Sequence, residues 1–281
     1  MWRVIMTLLV RNEADIIADN IRYHARKGVD GFVVMDNGST DGTLDILQNL
    51  ANDVDLILIT NPDGVYQQAV WMTELARTAK DKLGADFVIS NDADEFWVVD
   101  DCAGSYRDCL QRYDSVVTVP RINAVFDEAI FSADYHYLNA RYGVRKPLSY
   151  SKKEQMEDDN VCMQLVPVGP KVIVRAQGLI RVKGGNHRAK HWNPLGKRQA
   201  SSMQVVHFPI RSYDKFLENV RHRAALLEKG AHMGVHYRRW VGYYKRGMLE
   251  EEFNRMVVTH TQAQYLEKLG VLAPLHHDIA P

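Results

Sequence analysis

Three carboxylates, Asp92, Asp94 and Glu95, follow the apolar run Phe87-Val88-Ile89 and precede a second apolar stretch, Phe96-Trp97-Val98-Val99. The first run is too short for a helix and rich in β-branched and aromatic residues, which predicts a buried strand. Its carboxyl end therefore delivers all three acids to one spot. Two such charges about 5 Å apart repel by roughly 3 kcal/mol at an effective dielectric of about 20, so a chain that packs them together is expected to supply a cation there. Oxygen ligands suit a hard ion, Mg²⁺ or Mn²⁺, and Mg²⁺ commonly divides its shell between one or two carboxylates and substrate phosphates. Taken alone, Asp-x-Asp also reads as an acidic, solvated turn; the rest of the chain decides between the two.

The elements that must position this spot form a regular series. Val4 to Val10 reads as a strand, followed by a helical pattern with Ile16, Ile17, Ile21 and Ala25 that stops at Gly28. A second strand, Phe32 to Met35, ends in the turn-forming cluster Asp36-Asn37-Gly38-Ser39-Thr40-Asp41-Gly42-Thr43, and Thr40 or Asp41 is expected to cap the helix from Thr43 to Ala51. Leu56 to Ile59 gives a third strand, Tyr66 to Leu83 a third helix, and the Phe87 run the fourth strand. Strands alternating with helices in this way predict a mainly parallel sheet covered on both faces, with ligands at the carboxyl ends of its strands. Arg11-Asn12-Glu13, the Asp36 to Thr43 loop and Asp92 to Glu95 all fall on that edge.

Beyond Asp101 the pattern loosens. Tyr106 to Tyr113 reads as a helix, Ser115 to Val119 as a strand closed by Pro120, and residues 121–170 as a mixed stretch with an acidic knot from Glu154 to Asp159. Val172-Ile173-Val174 and Leu179 to Val182 suggest a hairpin around Gly178, and Gln204-Val205-Val206 a strand leading into His207-Phe208-Pro209-Ile210-Arg211-Ser212. From Ser212 the character is helical. The basic and aromatic run Arg238-Arg239-Trp240 with Tyr243 to Arg246 reads first as a helix burying Trp240, Val241 and Tyr244, and second as a peripheral membrane contact.

The 281 residues suffice for one sizeable core. With 35 Lys plus Arg against 35 Asp plus Glu, the chain lacks the global basicity of a nucleic-acid binder. Cys102, Cys109 and Cys162 have neither the number nor the spacing of a disulfide framework or zinc site, which points to a reducing cytoplasm. The apolar N-terminus is too short to span a bilayer.

Val10-Arg11-Asn12-Glu13, Asp36 to Thr43 and Asp92-Ala93-Asp94-Glu95-Phe96 closely resemble, in order and spacing, the nucleotide-diphospho-sugar glycosyltransferases of family 2. His207-Phe208-Pro209-x-Arg211-Ser212 with Phe216 resembles the tail signature of a branch of that family. The resemblance implies an α/β, Rossmann-like GT-A fold, a mainly parallel sheet flanked by helices, with a C-terminal helical extension. Residues 1–215 would be the catalytic domain, 1–100 its nucleotide-sugar half and 101–215 its acceptor half, with 216–281 the extension. Asp36 resembles the carboxylate that reads the donor base; Arg11, Glu13, Asp63 and Arg211 would border the nucleotide-sugar site. Asp92 is similar to the acid placed near ribose and metal, Asp94 to the direct metal ligand, and His207 to a late histidine completing the Mn²⁺ or Mg²⁺ site. The base is not marked by an unambiguous acidic pair, and Glu157, Asp158 or Glu95 could serve.

That likeness implies an inverting transferase moving a sugar from a nucleoside diphosphate, UDP by expectation, to a hydroxyl of a glycan or a lipid-linked acceptor, without nucleic acid. Such an enzyme is expected in the cytoplasm, at the inner face of the membrane where the acceptor is lipid-linked, in polysaccharide biosynthesis. Two other functions compete. A sugar-nucleotide nucleotidyltransferase uses a similar sheet but needs a glycine-rich phosphate loop after the first strand, where this chain has Arg11-Asn12-Glu13. A non-catalytic sugar-nucleotide or glycan-binding module would hold donor and metal without turnover.

Overall fold

A computed structural model describes residues 1–61, 68–100, 103–275 and 279. Asp63 and the expected start of the third helix at Tyr66 lie outside the described residues. Met1–Arg121, Gly169–His207 and Ile279 pack as one compact unit, and Ile122–Val168 with residues 208–275 as a second.

In the first unit the chain runs β1 (Val4–Val10), α1 (Ile17–Arg26), β2 (Gly31–Asp36), α2 (Thr43–Leu50), β3 (Leu56–Thr60), α3 (Gln68–Leu83), β4 (Phe87–Asn91), β5 (Glu95–Val99) and β6 (Val116–Val119). It crosses into the second unit through β7 (Arg121–Val125), β8 (Tyr142–Val144) and α4 (Lys152–Glu157). It returns as β9 (Lys171–Arg175), β10 (Leu179–Val182), β11 (Ala189–His191), β12 (Lys197–Gln199) and β13 (Met203–His207). The second unit is completed by α5 (Tyr213–Glu228), α6 (Val235–Lys245), α7 (Leu249–Met256), α8 (His260–Lys268) and β14 (Leu272–Pro274).

The main sheet has the order β12-β6-β9-β4-β1-β2-β3. All neighbours are parallel except β9, which is antiparallel to both β4 and β6. Register aligns Val10 with Asp36 and Leu8 with Asn91, so β1, β2 and β4 end on one edge as the βαβ series predicts. On one face α3 seats Met72, Leu75, Ala76 and Ala79 against Ile5, Val33 and Val88.

Two expectations are corrected. Val172 to Val174 and Leu179 to Val182 do not form a hairpin: β9 is inserted between β4 and β6, and β10 pairs with β11. Val172, Ile173 and Val174 are buried on both faces, and such a strand belongs inside a sheet rather than in an exposed ribbon. Tyr106 to Tyr113 is not a full helix but a 3-10 turn over Tyr106–Cys109, capped by Ser105 and Asp108. Leu110 leaves it in extended conformation, freeing Asp114 to grip Arg198 at 2.7 Å.

β5 pairs with β13 on one side only, and α1 satisfies its other edge with side chains. Asn20 donates to the carbonyls of Ala93 and Glu95, both at 2.8 Å, while Tyr23 and Tyr106 hydroxyls reach the Trp97 carbonyl. The His24 ring completes the edge: Nδ1 lies 2.7 Å from the Asn20 carbonyl and Nε2 accepts from the Trp97 amide at 3.1 Å. Acceptance at Nε2 requires the neutral ring with its proton on Nδ1, and burial pushes His24 down to about 3. In the unfolded chain the ring titrates near 6.5. Below that pH the unfolded state takes up a proton the folded state refuses, so this stability is complete above about pH 6.5 and is lost as pH falls toward 3. His24 alone is expected to cost about 2 kcal/mol between pH 7 and pH 5. Urea titrations at the two values check this, and His24→Gln should flatten the difference.

The second unit is organised around Phe216, Trp240, Phe253 and Met256. In α6 Trp240, Val241 and Tyr243 are buried, with Tyr244 only partly so. The guanidinium of Arg239 is consumed by Glu252, at 2.5 and 3.0 Å, and is unavailable to an anionic surface. No helix among the described residues is long and apolar enough to cross a membrane.

Candidate active site

The turn Asp92-Ala93-Asp94 between β4 and β5 is held by the Glu95 amide donating to the Asp92 carbonyl at 3.1 Å and by Asn20 from α1. Asn91 braces it further, accepting from the Trp97 indole at 2.8 Å and donating to the Glu95 carbonyl at 3.1 Å.

The three acids have separate surroundings. Glu95 is fully buried, with Arg121 at 2.5 Å from one oxygen and Lys171 at 2.9 Å from the other; the second is an ion pair whose angle misses hydrogen-bond geometry. Burial alone would raise this carboxyl, but Lys171 and then Arg121 outweigh it and hold it low. Asp92 takes Lys171 at 2.5 Å on one oxygen and Asn186 at 3.0 Å on the other. Lys171 is itself wholly buried; burial favours its neutral form, yet Asp92 and Glu95 keep the ammonium above its ordinary value. Asp94, partly exposed like Asp92, lies 3.3 Å from Nε2 of His207. The β5–β13 register sets His207 opposite Glu95 and so places the imidazole there.

Asp94, Glu95 and His207 each bring one ligand atom within 4.8 Å of the others. Carboxylate oxygen and imidazole nitrogen suit Mn²⁺, and the carboxylates suit Mg²⁺ as well. Asp92, expected in this set, stands outside it, because both of its oxygens are taken by Lys171 and Asn186. Glu95, expected as a candidate base, is clamped between two cations that oppose protonation. Two of the three carboxylates are thus neutralised by Lys171 and Arg121 rather than by an ion, which leaves Asp94 with His207 as the part open to a cation.

At the ends of β1 and β2 two loops are laced together. Asn12, in left-handed conformation at φ 53, accepts from the Thr40 amide at 2.7 Å, and its own amide donates to Ser39 at 2.9 Å. The Glu13 amide donates to the Thr43 hydroxyl at 2.8 Å, and Arg11 reaches the Asn37 carbonyl at 2.9 Å. Asp41 accepts from the Thr43 amide at 3.1 Å, while Gly42, at φ 92, is the helix-capping residue itself. Asp36, buried at the end of β2, accepts from the Gly38 and Ser39 amides through Oδ2, whereas its buried Oδ1 has no hydrogen-bond partner. A bare buried carboxylate oxygen at a ligand-binding edge is costly unless something donates to it.

The remaining candidates lie in the second unit. Arg211 is buried there. Glu157 is exposed at the end of α4 with Lys153 at 3.9 Å, and Asp158 accepts from the amide and side chain of Asn160. Elsewhere in the knot Glu154 closes a capping box with Ser151, and Asp159 accepts from the Tyr243 hydroxyl. Lys171, Arg121, Asn186 and Asn20 were not singled out by the sequence. A lysine opening the apolar run Lys171-Val172-Ile173-Val174 was the one available signal.

A mainly parallel sheet whose carboxyl edge carries an Asp-x-Asp turn and a buried, half-satisfied carboxylate, with a histidine brought beside the turn by β13, is the arrangement of a ligand-binding α/β enzyme. The glycosyl transferase family 2 model matches residues 6–166, and the chain belongs to that family: it is a glycosyltransferase. No curated protein matches the sequence. Among solved structures, S. aureus TarS residues 1–349 in complex with UDP is similar at 14% identity and TM-score 0.44, over 90% of this chain and 71% of that one. The chain spans 45% of a longer S. aureus TarS structure, at 14% identity and TM-score 0.43, with 94% of this chain covered. Glucosyl-3-phosphoglycerate synthase from Mycobacterium tuberculosis, in complex with Mn²⁺, UDP and glucosyl-3-phosphoglycerate, is similar at 15% identity and TM-score 0.32, over 63% of this chain and 57% of that one.

Proposed function

We propose that the enzyme is a metal-dependent, inverting glycosyltransferase that moves a sugar from a UDP-linked donor to a hydroxyl of a glycan or lipid-linked acceptor in the cytoplasm. The observation that carries this reading is the Asp94–His207 pair, 3.3 Å apart, beside two acids already neutralised internally. That pair would hold Mn²⁺ or Mg²⁺, which, when bound, offsets negative charge on the leaving diphosphate. Lys171 and Arg121 fix the turn that carries Asp94, so the ligand is preorganised rather than recruited.

Asp36 is proposed as the base reader, with Arg11 and Glu13 on the adjoining loop. An ionised carboxylate only accepts hydrogen bonds, and the uracil ring offers an N–H where adenine and cytosine offer a bare nitrogen. In the transfer step the acceptor oxygen bonds to the anomeric carbon as the bond from that carbon to the diphosphate oxygen breaks. The electron pair leaves with UDP, and the acceptor proton passes to a carboxylate. Attack opposite the leaving group inverts the centre.

The test is release of free nucleoside diphosphate from a panel of sugar nucleotides with Mn²⁺. UDP-sugars are expected to be preferred, and turnover separates an enzyme from a binding module. Asp36→Asn retains an oxygen for Gly38 and Ser39 but turns an N–H₂ toward the base. We expect at least ten-fold weaker UDP binding by calorimetry, about 1.4 kcal/mol. Equal UDP affinity in this variant would remove Asp36 from the donor site.

A further inference from the structure

The first unit has a second feature that the donor site does not use. On the α3 face of the sheet, β10 and β11 roof over β6, β9 and β12 to leave a cleft of about 450 Å³. Its wall carries Arg181, Lys183, Arg188, Lys190 and Lys197, with His187 at one end, and among the described residues no acidic side chain and no Phe, Tyr or Trp lines it. Val116, Thr118 and Val172 form the floor, and β-sheet register places Val116 beside Lys197 and Thr118 beside Val172. The five cations make no ion pair with a carboxylate among the described residues. In a chain whose formal charges cancel, this is a local excess of one sign. Such an assembly repels itself and focuses an anion into the concavity.

The cleft adjoins the carboxylate turn through one short loop. Lys183 opens the Gly184–Asn186 turn, whose Asn186 side chain donates to Asp92 and whose Gly185 carbonyl accepts from Lys171; the next residue, His187, lines the cleft. The Pro170 carbonyl lies 2.8 Å from Nδ1 of His187 and fixes the ring. The volume falls in the range of small-ligand sites, about 300–1,000 Å³. With no Phe, Tyr or Trp for base stacking, the cleft suits a phosphate-bearing ligand better than a single-stranded nucleic acid.

We infer that this cleft binds a phosphate-bearing portion of the acceptor, so that the enzyme acts on a phosphorylated glycan or polyol rather than a neutral one. Only the naming of the occupant as acceptor rests on the transferase reading. The test is calorimetric titration of the full chain with sodium tripolyphosphate in EDTA, which keeps metal–diphosphate binding out of the measurement. Wild type should bind, and Arg188→Ala/Lys190→Ala should bind at least ten-fold more weakly. Affinity should fall steeply between 50 and 200 mM salt, as with other polyphosphates. Asp36→Asn, a donor-site change, should leave the affinity as in wild type, and Arg188→Lys/Lys190→Arg should restore most of it. Equal affinity in wild type and the alanine double variant, or no binding by wild type, overturns the inference. So does an oligo-dT of matching charge that binds more tightly than tripolyphosphate. If tripolyphosphate binding is lost in the alanine variant while no sugar nucleotide is turned over, the anion cleft stands and the donor reading alone fails.

Discussion

Asp94→Ala is expected to abolish Mn²⁺-dependent donor binding and to lower sugar-nucleotide turnover by at least 10²–10³-fold, the scale on which single electrostatic contacts to a developing oxyanion act. The reason is local. Asp92 and Glu95 are already neutralised by Lys171, Arg121 and Asn186, so neither brings the uncompensated negative charge that would replace the missing ligand. His207 by itself offers one nitrogen, and hard ions gain little from imidazole without a carboxylate beside it. The fold should survive, because the Asp94 side chain is partly exposed and the hydrogen bonds by which Asn20, Asn91 and Trp97 hold the turn run to other atoms. Titrating Mn²⁺ against UDP binding in wild type and variant makes the comparison. Unchanged binding that still requires the metal would count against Asp94 as the ligand.

Much of this is legible in the sequence alone. The alternation of strands and helices to Ile89 is written in apolar periodicity and in turn-forming residues at Gly28, Gly38 and Gly42, all three of which have positive φ. Those signals are local, and local signals survive folding. The edge position of Asp36 and Asp92 followed from the same alternation. What could not be read is long-range pairing: Lys171 is 79 residues from Asp92, and nothing in its spacing ties them. The repulsion among the acids reads as a need for an ion alone, because the protein's own counter-charges enter from far along the chain, on β9 and at the head of β7. The misplaced hairpin at Gly178 has the same origin. An apolar run of that length fits a ribbon or a central strand equally well, and only the vacancy between β4 and β6 decides.

Lys171→Met is expected to destabilise the first unit strongly. The substitution keeps the length and apolar stem of the side chain and deletes only the charge, so packing against β4 and β6 is little altered. It strips Asp92 and Glu95 of a shared counter-ion inside a buried site, and breaking a buried pair from one side costs about 3–5 kcal/mol. Arg121 still faces Glu95, but nothing replaces the ammonium on Asp92, whose remaining partner is the Asn186 amide. Urea denaturation should show the midpoint falling accordingly. The double variant Lys171→Met/Glu95→Gln separates charge from shape: with one buried carboxylate gone it should recover a substantial part of the loss, giving a coupling energy well outside the additivity error of about 0.3–0.5 kcal/mol. If the single variant instead loses less than about 1 kcal/mol, the range of an exposed ion pair, then Lys171 does not organise the turn. Asp94 would then have to be positioned by Asn20 and Asn91 alone.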